Sequence, residues 1–241
     1  MKPIDTTRRV ILITGAAGGL GRALVQAFAD DGWQVVAACR TNPFTAPSPS
    51  VWPVAMDVTN PGEIESVCAE VTRRWTRIDA LINNAGVVDD EVLPRLSEDA
   101  WQRVMGVNLR GAFLCSRAVL PQMVRQRDGH ILNIASFGGR VGRAGQASYS
   151  ASKAGLIGLT VALAREHGAD NVRVNAILPG FLPTRLVGDL SESQLAAHAA
   201  SNTLNRLNSP GEVAGFATVL AAMKNVSGQV FQLDSRIGSW S

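Results

Sequence analysis

Short apolar runs of strand length alternate along this chain with segments whose apolar residues recur at helical period, the pattern of βαβ units around a parallel sheet. Strands are expected at Val10–Thr14, Gln34–Cys39, Val51–Met56, Ala80–Asn83, His130–Ala135, Val172–Leu178 and Val230–Leu233. They predict an α/β fold with a doubly wound parallel sheet of about seven strands and helices on both faces. Helix starts are marked by their caps. Asn60-Pro61-Gly62-Glu63 and Ser209-Pro210-Gly211-Glu212 each combine an N-cap, a proline in the first helical position and a glutamate three residues after the cap. Ser191 with Gln194 forms a further capping box, predicting a short helix from Glu192 towards Asn205, and the first helix is read from Arg22 to Asp30. Three prolines in Thr41–Ser50, TNPFTAPSPS, exclude a regular helix there and predict a surface loop. No polar linker or shift in composition divides the chain, so residues 1–241 are expected to form one domain.

Composition narrows the function. With 46% hydrophobic residues in 241, the chain can bury a sizeable core, which excludes intrinsic disorder. The formal charge of +3 is carried by basic residues scattered in ones and twos, giving no footprint for nucleic acid or an anionic membrane. No apolar run approaches the roughly 18 residues of a membrane span. Arg8 and Arg9 ahead of Val10–Ala17 do not read as a secretory leader, because the run continues into a glycine turn and a helix. Cys39, Cys68 and Cys115 form neither a metal spacing nor an even disulfide framework, which suits a reducing cytosol. His130, His167 and His198 lie far apart without a carboxylate cluster, so no metal site is expected.

The first strand runs into Thr14-Gly15-Ala16-Ala17-Gly18-Gly19-Leu20-Gly21 and then a helix. Glycines at a strand-to-helix turn let the backbone approach a pyrophosphate, while the helix N-terminus offers free N–H donors, so a Rossmann-type dinucleotide site is expected. The second strand bears on the choice of nucleotide. NAD sites usually carry an acidic residue near its end for the ribose 2′-OH, but this chain has none between Asp31 and Asp57 and ends the strand in Cys39-Arg40. Arg40 can pair with a 2′-phosphate, which favours NADPH over NADH. Tyr149 and Lys153, four apart, share a helical face, and an ammonium beside a phenol is expected to lower its pKa and make it a better proton donor to a carbonyl. Tyr149 is also the sole tyrosine.

TGAAGGLG at 14–21, Asn83-Asn84-Ala85-Gly86, Asn108 in MGVNLRG, Ser136 in ILNIAS, YSASKAG at 149–155 and Pro179-Gly180 occur in order. Together they resemble the short-chain dehydrogenase/reductase family over nearly the whole chain, and GQASYSASKAG with LPGFLPT looks most like its 3-oxoacyl-acyl-carrier-protein reductase branch. The resemblance implies that Tyr149 donates the proton to a carbonyl oxygen, Ser136 orients that oxygen, Lys153 holds the nicotinamide ribose and tunes Tyr149, and Asn108 holds a water that links Lys153 to solvent. It implies contacts to the cofactor by Gly15, Gly19, Leu20 and Gly21, by Asp57 and Val58 at the adenine, by Asn84, Ala85 and Gly86 near its ribose, and by Pro179, Gly180, Leu182 and Thr184 at the carboxamide. The activity so implied is NADPH-dependent reduction of a 3-oxoacyl thioester in fatty-acid or polyketide synthesis by a cytoplasmic homo-oligomer, a dimer or tetramer, with an acyl carrier protein as possible partner. The alternatives are another small carbonyl or secondary alcohol as substrate, or a nucleotide-binding protein without turnover.

The sequence departs from the family pattern in TNPFTAPSPS, where relatives usually have a helix, and in Leu233-Asp234-Ser235-Arg236-Ile237, where many have a glycine pair. Arg140 or Arg143, with Arg125 or Arg127, is a candidate contact to phosphopantetheine or an acidic carrier. Phe181, Leu182, Leu186 and Leu190 are candidates for the acyl group, and the five tryptophans are read as packing.

Overall fold

A computed structural model describes residues 8–41, 48–184 and 190–237. Its strands are β1 (Val10–Thr14), β2 (Gln34–Cys39), β3 (Val51–Ala55), β4 (Ala80–Asn83), β5 (Gly129–Ile134), β6 (Val172–Leu178) and β7 (Val230–Gln232). They form one sheet in the order β3-β2-β1-β4-β5-β6-β7, with every pair parallel. β1, β4, β5 and β6 are buried along their whole length, which is why they read as continuous apolar runs instead of alternating ones. The order reverses at β1, between β2 and β4, opening a crevice beyond the C-terminal strand ends. Three strands stop one residue short of expectation. Met56, Ala135 and Leu233 each still donate a main-chain bond to the neighbouring strand, at 2.9, 2.8 and 2.9 Å, before the chain turns away.

The helices are α1 (Gly19–Asp30), α2 (Pro61–Trp75), α3 (Glu98–Met105), α4 (Gly111–Gln126), α5 (Gly138–Val141), α6 (Ala147–His167), α7 (Glu192–Ala200) and α8 (Pro210–Ala222). Alternate residues of β1 feed two cores, as the strand period of two requires. Ile11 and Ile13 pack with Leu24 and Phe28 of α1 and Val213 and Ala217 of α8, whereas Val10 and Leu12 pack with Val71 and Trp75 of α2 and Val119 and Met123 of α4. Trp33 packs edge-on to Phe28 with ring centres 5.3 Å apart, and Trp52 lies 5.6 Å from Trp75, whereas Trp240 lies outside the described residues.

The expected caps form. Asn60 accepts the Gly62 N–H at 3.0 Å, Ser209 accepts that of Glu212 at 3.1 Å, and Ser191 and Gln194 complete a reciprocal box. α7 ends at Ala200, short of Asn205, because Ser201 Oγ and Asn202 Nδ2 donate at 2.7 and 3.0 Å to the His198 carbonyl that a continuing helix would use. Of the loop predicted at Thr41–Ser50, residues 42–47 lie outside the described residues. Among the described residues no helix is long and apolar enough to cross a membrane.

Candidate active site

The turn after β1 is shaped by close approach. Gly15 has φ +64° and a Cβ there would lie 2.8 Å from Ala85 Cα, while a Cβ on Gly21 would fall 2.2 Å from the Gly15 carbonyl oxygen. Thr14 Oγ1 accepts the main-chain N–H groups of both Asn84 and Ala85 at 3.0 Å, and Asn84 Nδ2 returns bonds to the Thr14 and Gly15 carbonyls at 3.0 and 3.1 Å. The ends of β1 and β4 are thereby stitched together. α1 starts at Gly19, three residues earlier than the sequence reading placed it, on a glycine N-cap with no side-chain bond. The first intrahelical N–H to find a carbonyl is that of Arg22, on Gly18 at 2.9 Å. The N–H groups of Gly19, Leu20 and Gly21 are therefore open, at the positive end of the helix dipole, for an anionic ligand.

A cavity of about 1360 Å³ crosses the C-terminal strand ends from this turn to α6. Every residue expected to touch a dinucleotide, from Gly15 to Thr184, lines it, as do Ser136, Tyr149 and Lys153. At one end stand the glycine turn, the exposed Arg40 after β2, and Asp57 with Val58. The Asp57 carboxylate is held by Thr59, whose N–H and Oγ1 donate at 2.8 and 2.7 Å. The cradle fits a dinucleotide: its glycines leave backbone exposed where side chains would collide, as a Cβ on Gly19 would with Thr184 Cγ2 at 2.7 Å.

At the other end α6 presents Tyr149 and Lys153 one turn apart, beside Ser136 just past β5. Ser136 Oγ accepts the Gly138 N–H at 3.2 Å, and its hydroxyl acts on Tyr149 to lower the phenol's pKa. Lys153 is buried, with Nζ donating to the Ile134 carbonyl at 2.7 Å, and burial brings its ammonium down to about 8. The expected depression of the Tyr149 pKa is not found. Burial raises it above the usual phenol range and outweighs the hydrogen bond with Ser136, while the Lys153 ammonium, 5.7 Å from the ring centre, is directed to Ile134. In the free protein Tyr149 is thus firmly protonated.

Asn108 does not line the cavity. It sits in a π-helical turn, Gly106–Arg110, between α3 and α4. Its Oδ1 accepts the Val87 N–H at 2.8 Å, and its Nδ2 donates to the Val87 carbonyl at 2.9 Å and to Ser152 Oγ at 3.1 Å. The amide is thus a clamp between the strand end after β4 and α6. A Cβ on Gly86 would fall 3.5 Å from Asn108 Oδ1 and 3.6 Å from Lys153 Nζ, so the clamp borders the lysine.

Arg143 lines the cavity, but Arg140 does not. Arg125 and Arg127 lie at the opposite rim, where α4 ends and β5 begins; Arg127 pairs with Asp170 at 3.2 Å. Within one chain they do not reach the cavity. Phe181 and Leu182 line it, Leu190 does not, and Leu186 lies outside the described residues. Sequence reasoning missed Thr14, Arg22, Gln146 and Arg236 as site residues. The available signals were a polar residue closing an apolar strand, at Thr14, and an arginine directly following the last glycine of the turn, at Arg22.

A parallel sheet wound both ways from β1, with serine, tyrosine and lysine meeting over its crevice, defines a dinucleotide-dependent oxidoreductase acting on the alcohol/carbonyl pair. The chain belongs to the short-chain dehydrogenase family, whose model matches residues 9–195. It is 38% identical over 236 residues to a 3-oxoacyl-[acyl-carrier-protein] reductase of Thermotoga maritima, covering 94% of this chain and 96% of that one. Enzymes of the same name from Vibrio cholerae, at 38% with 89% and 90% covered, and from Synechocystis, at 37% with 95% and 96%, are similarly related.

Proposed function

We propose that this protein reduces a 3-oxoacyl thioester to the 3-hydroxyacyl thioester with NADPH, on acyl chains borne by a carrier protein. The observation that carries this reading is the cavity itself: an open helix N-terminus and Arg40 at one end, a protonated Tyr149 beside Ser136 and buried Lys153 at the other. The relatives bearing that enzyme name support the substrate class. The main-chain N–H groups of Gly19, Leu20 and Gly21 would hold the pyrophosphate, and Arg40 the 2′-phosphate. When bound, the nicotinamide supplies the hydride to the carbonyl carbon. Ser136 Oγ donates a hydrogen bond to the carbonyl oxygen, and Tyr149 delivers its proton there as negative charge develops. Lys153 holds the ribose hydroxyls and lends its charge to the same region. Since the side chain of Asn108 is engaged by Val87 and Ser152, the water that serves Lys153 would be held by the Asn108 main chain.

The same reading makes the protein a cytoplasmic homo-oligomer, a dimer or tetramer. The buried cysteines Cys39, Cys68 and Cys115 suit a reducing compartment, and Phe113 on α4 and Val219 on α8 offer exposed apolar surface, 42% and 55% accessible, for subunit contacts. The test is cofactor oxidation with an acetoacetyl thioester. Turnover is expected with NADPH in preference to NADH and should fall by about 10²- to 10⁴-fold in Tyr149→Phe. Unchanged turnover in that variant would refute the assignment.

A further inference from the structure

The substrate side of the cavity carries two guanidiniums, those of Arg143 and Arg236. Arg143 follows α5 and is exposed along the cavity wall. A Cβ placed on Gly138 would lie 3.5 Å from Ser136 Oγ and 3.7 Å from Arg143 Cδ, so the arginine stem runs beside the serine that orients the reacting oxygen. Arg236 arrives from beyond β7, and its guanidinium carbon lies 4.1 Å from the ring centre of Phe137, the residue after Ser136. The two cations thus flank Ser136-Phe137.

Charge balance separates them. Arg236 Nε donates to Asp234 Oδ2 at 2.6 Å, and the Asp234 side chain is 3% exposed, so this pair is internally neutral. Asp90, the carboxylate whose charge acts on Tyr149, accepts Gln146 Nε2 at 2.9 Å. The guanidinium of Arg143 has neither an ion pair nor a hydrogen-bonding partner among the described residues; only its main-chain carbonyl is engaged, by the Gln146 N–H at 3.0 Å. His198 stacks on Phe181 with ring centres 3.8 Å apart, and burial together with the charges of Arg143 and Arg236 holds it below the usual histidine range, so it is neutral at pH 7. A chain entering between Phe137 and Phe181 therefore meets apolar rings and one uncompensated cation.

We propose that the preferred substrate carries a carboxylate on the acyl side of its reacting carbonyl, bound by Arg143, with the Arg236–Asp234 pair on Phe137 forming the wall that directs it there. This rests on the reading of Ser136 and Tyr149 as the site of carbonyl reduction. An acyl-side carboxylate is favoured over the phosphate of a pantetheine arm because that phosphate lies many bonds from the thioester, whereas the Arg143 stem is beside Ser136. Arginine suits the role, since its planar fork matches a carboxylate bidentately.

The test compares 3-oxoadipyl and 3-oxohexanoyl thioesters of N-acetylcysteamine, which share a backbone and differ in a terminal carboxylate against a methyl group. In the unaltered protein kcat/KM should favour the acid by about ten- to hundredfold, and Arg143→Gln should abolish that preference. Calorimetric titration of both compounds into the cofactor-free protein gives a readout independent of turnover. If the methyl compound is reduced as well as the acid, or Arg143→Gln lowers both equally, the anionic substrate is refuted while the reductase reading stands. If neither is reduced but the acid alone binds, dependent on Arg143, the carboxylate site stands and the thioester reading falls. Equal or absent binding of both compounds, with no turnover, overturns both. A third substrate, 3-oxohexanoyl phosphopantetheine, locates the anion: dependence on Arg143 for it and not for the acid would refute the acyl-side placement in favour of the phosphate.

Discussion

Burying an ammonium with no carboxylate beside it is unfavourable, and the chain accepts this at Lys153, whose Nζ donates, among the described residues, to the Ile134 carbonyl alone. Because burial lowers its pKa to about 8, the side chain is a cation at and below neutrality and loses its charge as pH rises through that value. Tyr149, shifted the other way by its own burial, stays protonated across the same range. The rate of reduction is therefore expected to be level up to about pH 8 and to fall above it as Lys153 discharges. In Lys153→Arg the guanidinium stays charged, so the falling limb should disappear from profiles of kcat/KM recorded up to about pH 10, whatever the loss in absolute rate. A limb unchanged in that variant would assign the titration elsewhere.

Among the elements, the π-helical turn that places Asn108 has the clearest mutational signature. Removing the amide in Asn108→Ala leaves the Val87 N–H and carbonyl without their side-chain partner, which is expected to destabilise the fold by roughly 2 to 4 kcal/mol in urea unfolding. Turnover should fall with it, because the segment after β4 and the start of α6 share that clamp. The strands were readable from sequence because central parallel strands are buried on both faces and so appear as unbroken apolar runs; the capped starts of α2, α7 and α8 were readable because side-chain acceptors and prolines mark them. Gly106–Arg110 was not, since a single wide turn between two helices has no period of its own. The start of α1 was missed for a related reason: its first turn consists largely of glycine, which disguises helix as loop. At the site, the spacing of Tyr149 and Lys153 put them one turn apart on α6, where both line the cavity, but the direction of the tyrosine shift depends on depth of burial and on the target of the lysine, neither of which is encoded in spacing. Arg236 was noticed only as a departure from pattern because its contact with Phe137 joins the last strand to the loop after β5, nearly a hundred residues earlier.

For the molecule as a whole, acid should be more damaging than the mild net charge implies. His130, on β5, is buried, with Nε2 against Asn175 Nδ2 at 2.9 Å, and burial followed by the charge of Arg173 lowers its pKa from 6.5 to about 4. Between those values the unfolded chain binds a proton at this residue and the folded one does not, so its contribution is intact above about pH 6.5 and is lost as pH falls towards 4, by about 3 kcal/mol. Urea unfolding at pH 7 and near pH 4.5 should show this slope, and His130→Gln should flatten it. The sheet topology has a further use. The cavity with Ser136, Tyr149 and Lys153 lies at the C-terminal ends of the strands, while Arg125 and Arg127 mark the rim on the far side of the same sheet. A fluorophore or an immobilising tether coupled at residue 125 would stand a full strand length from the cavity, leaving its mouth unobstructed.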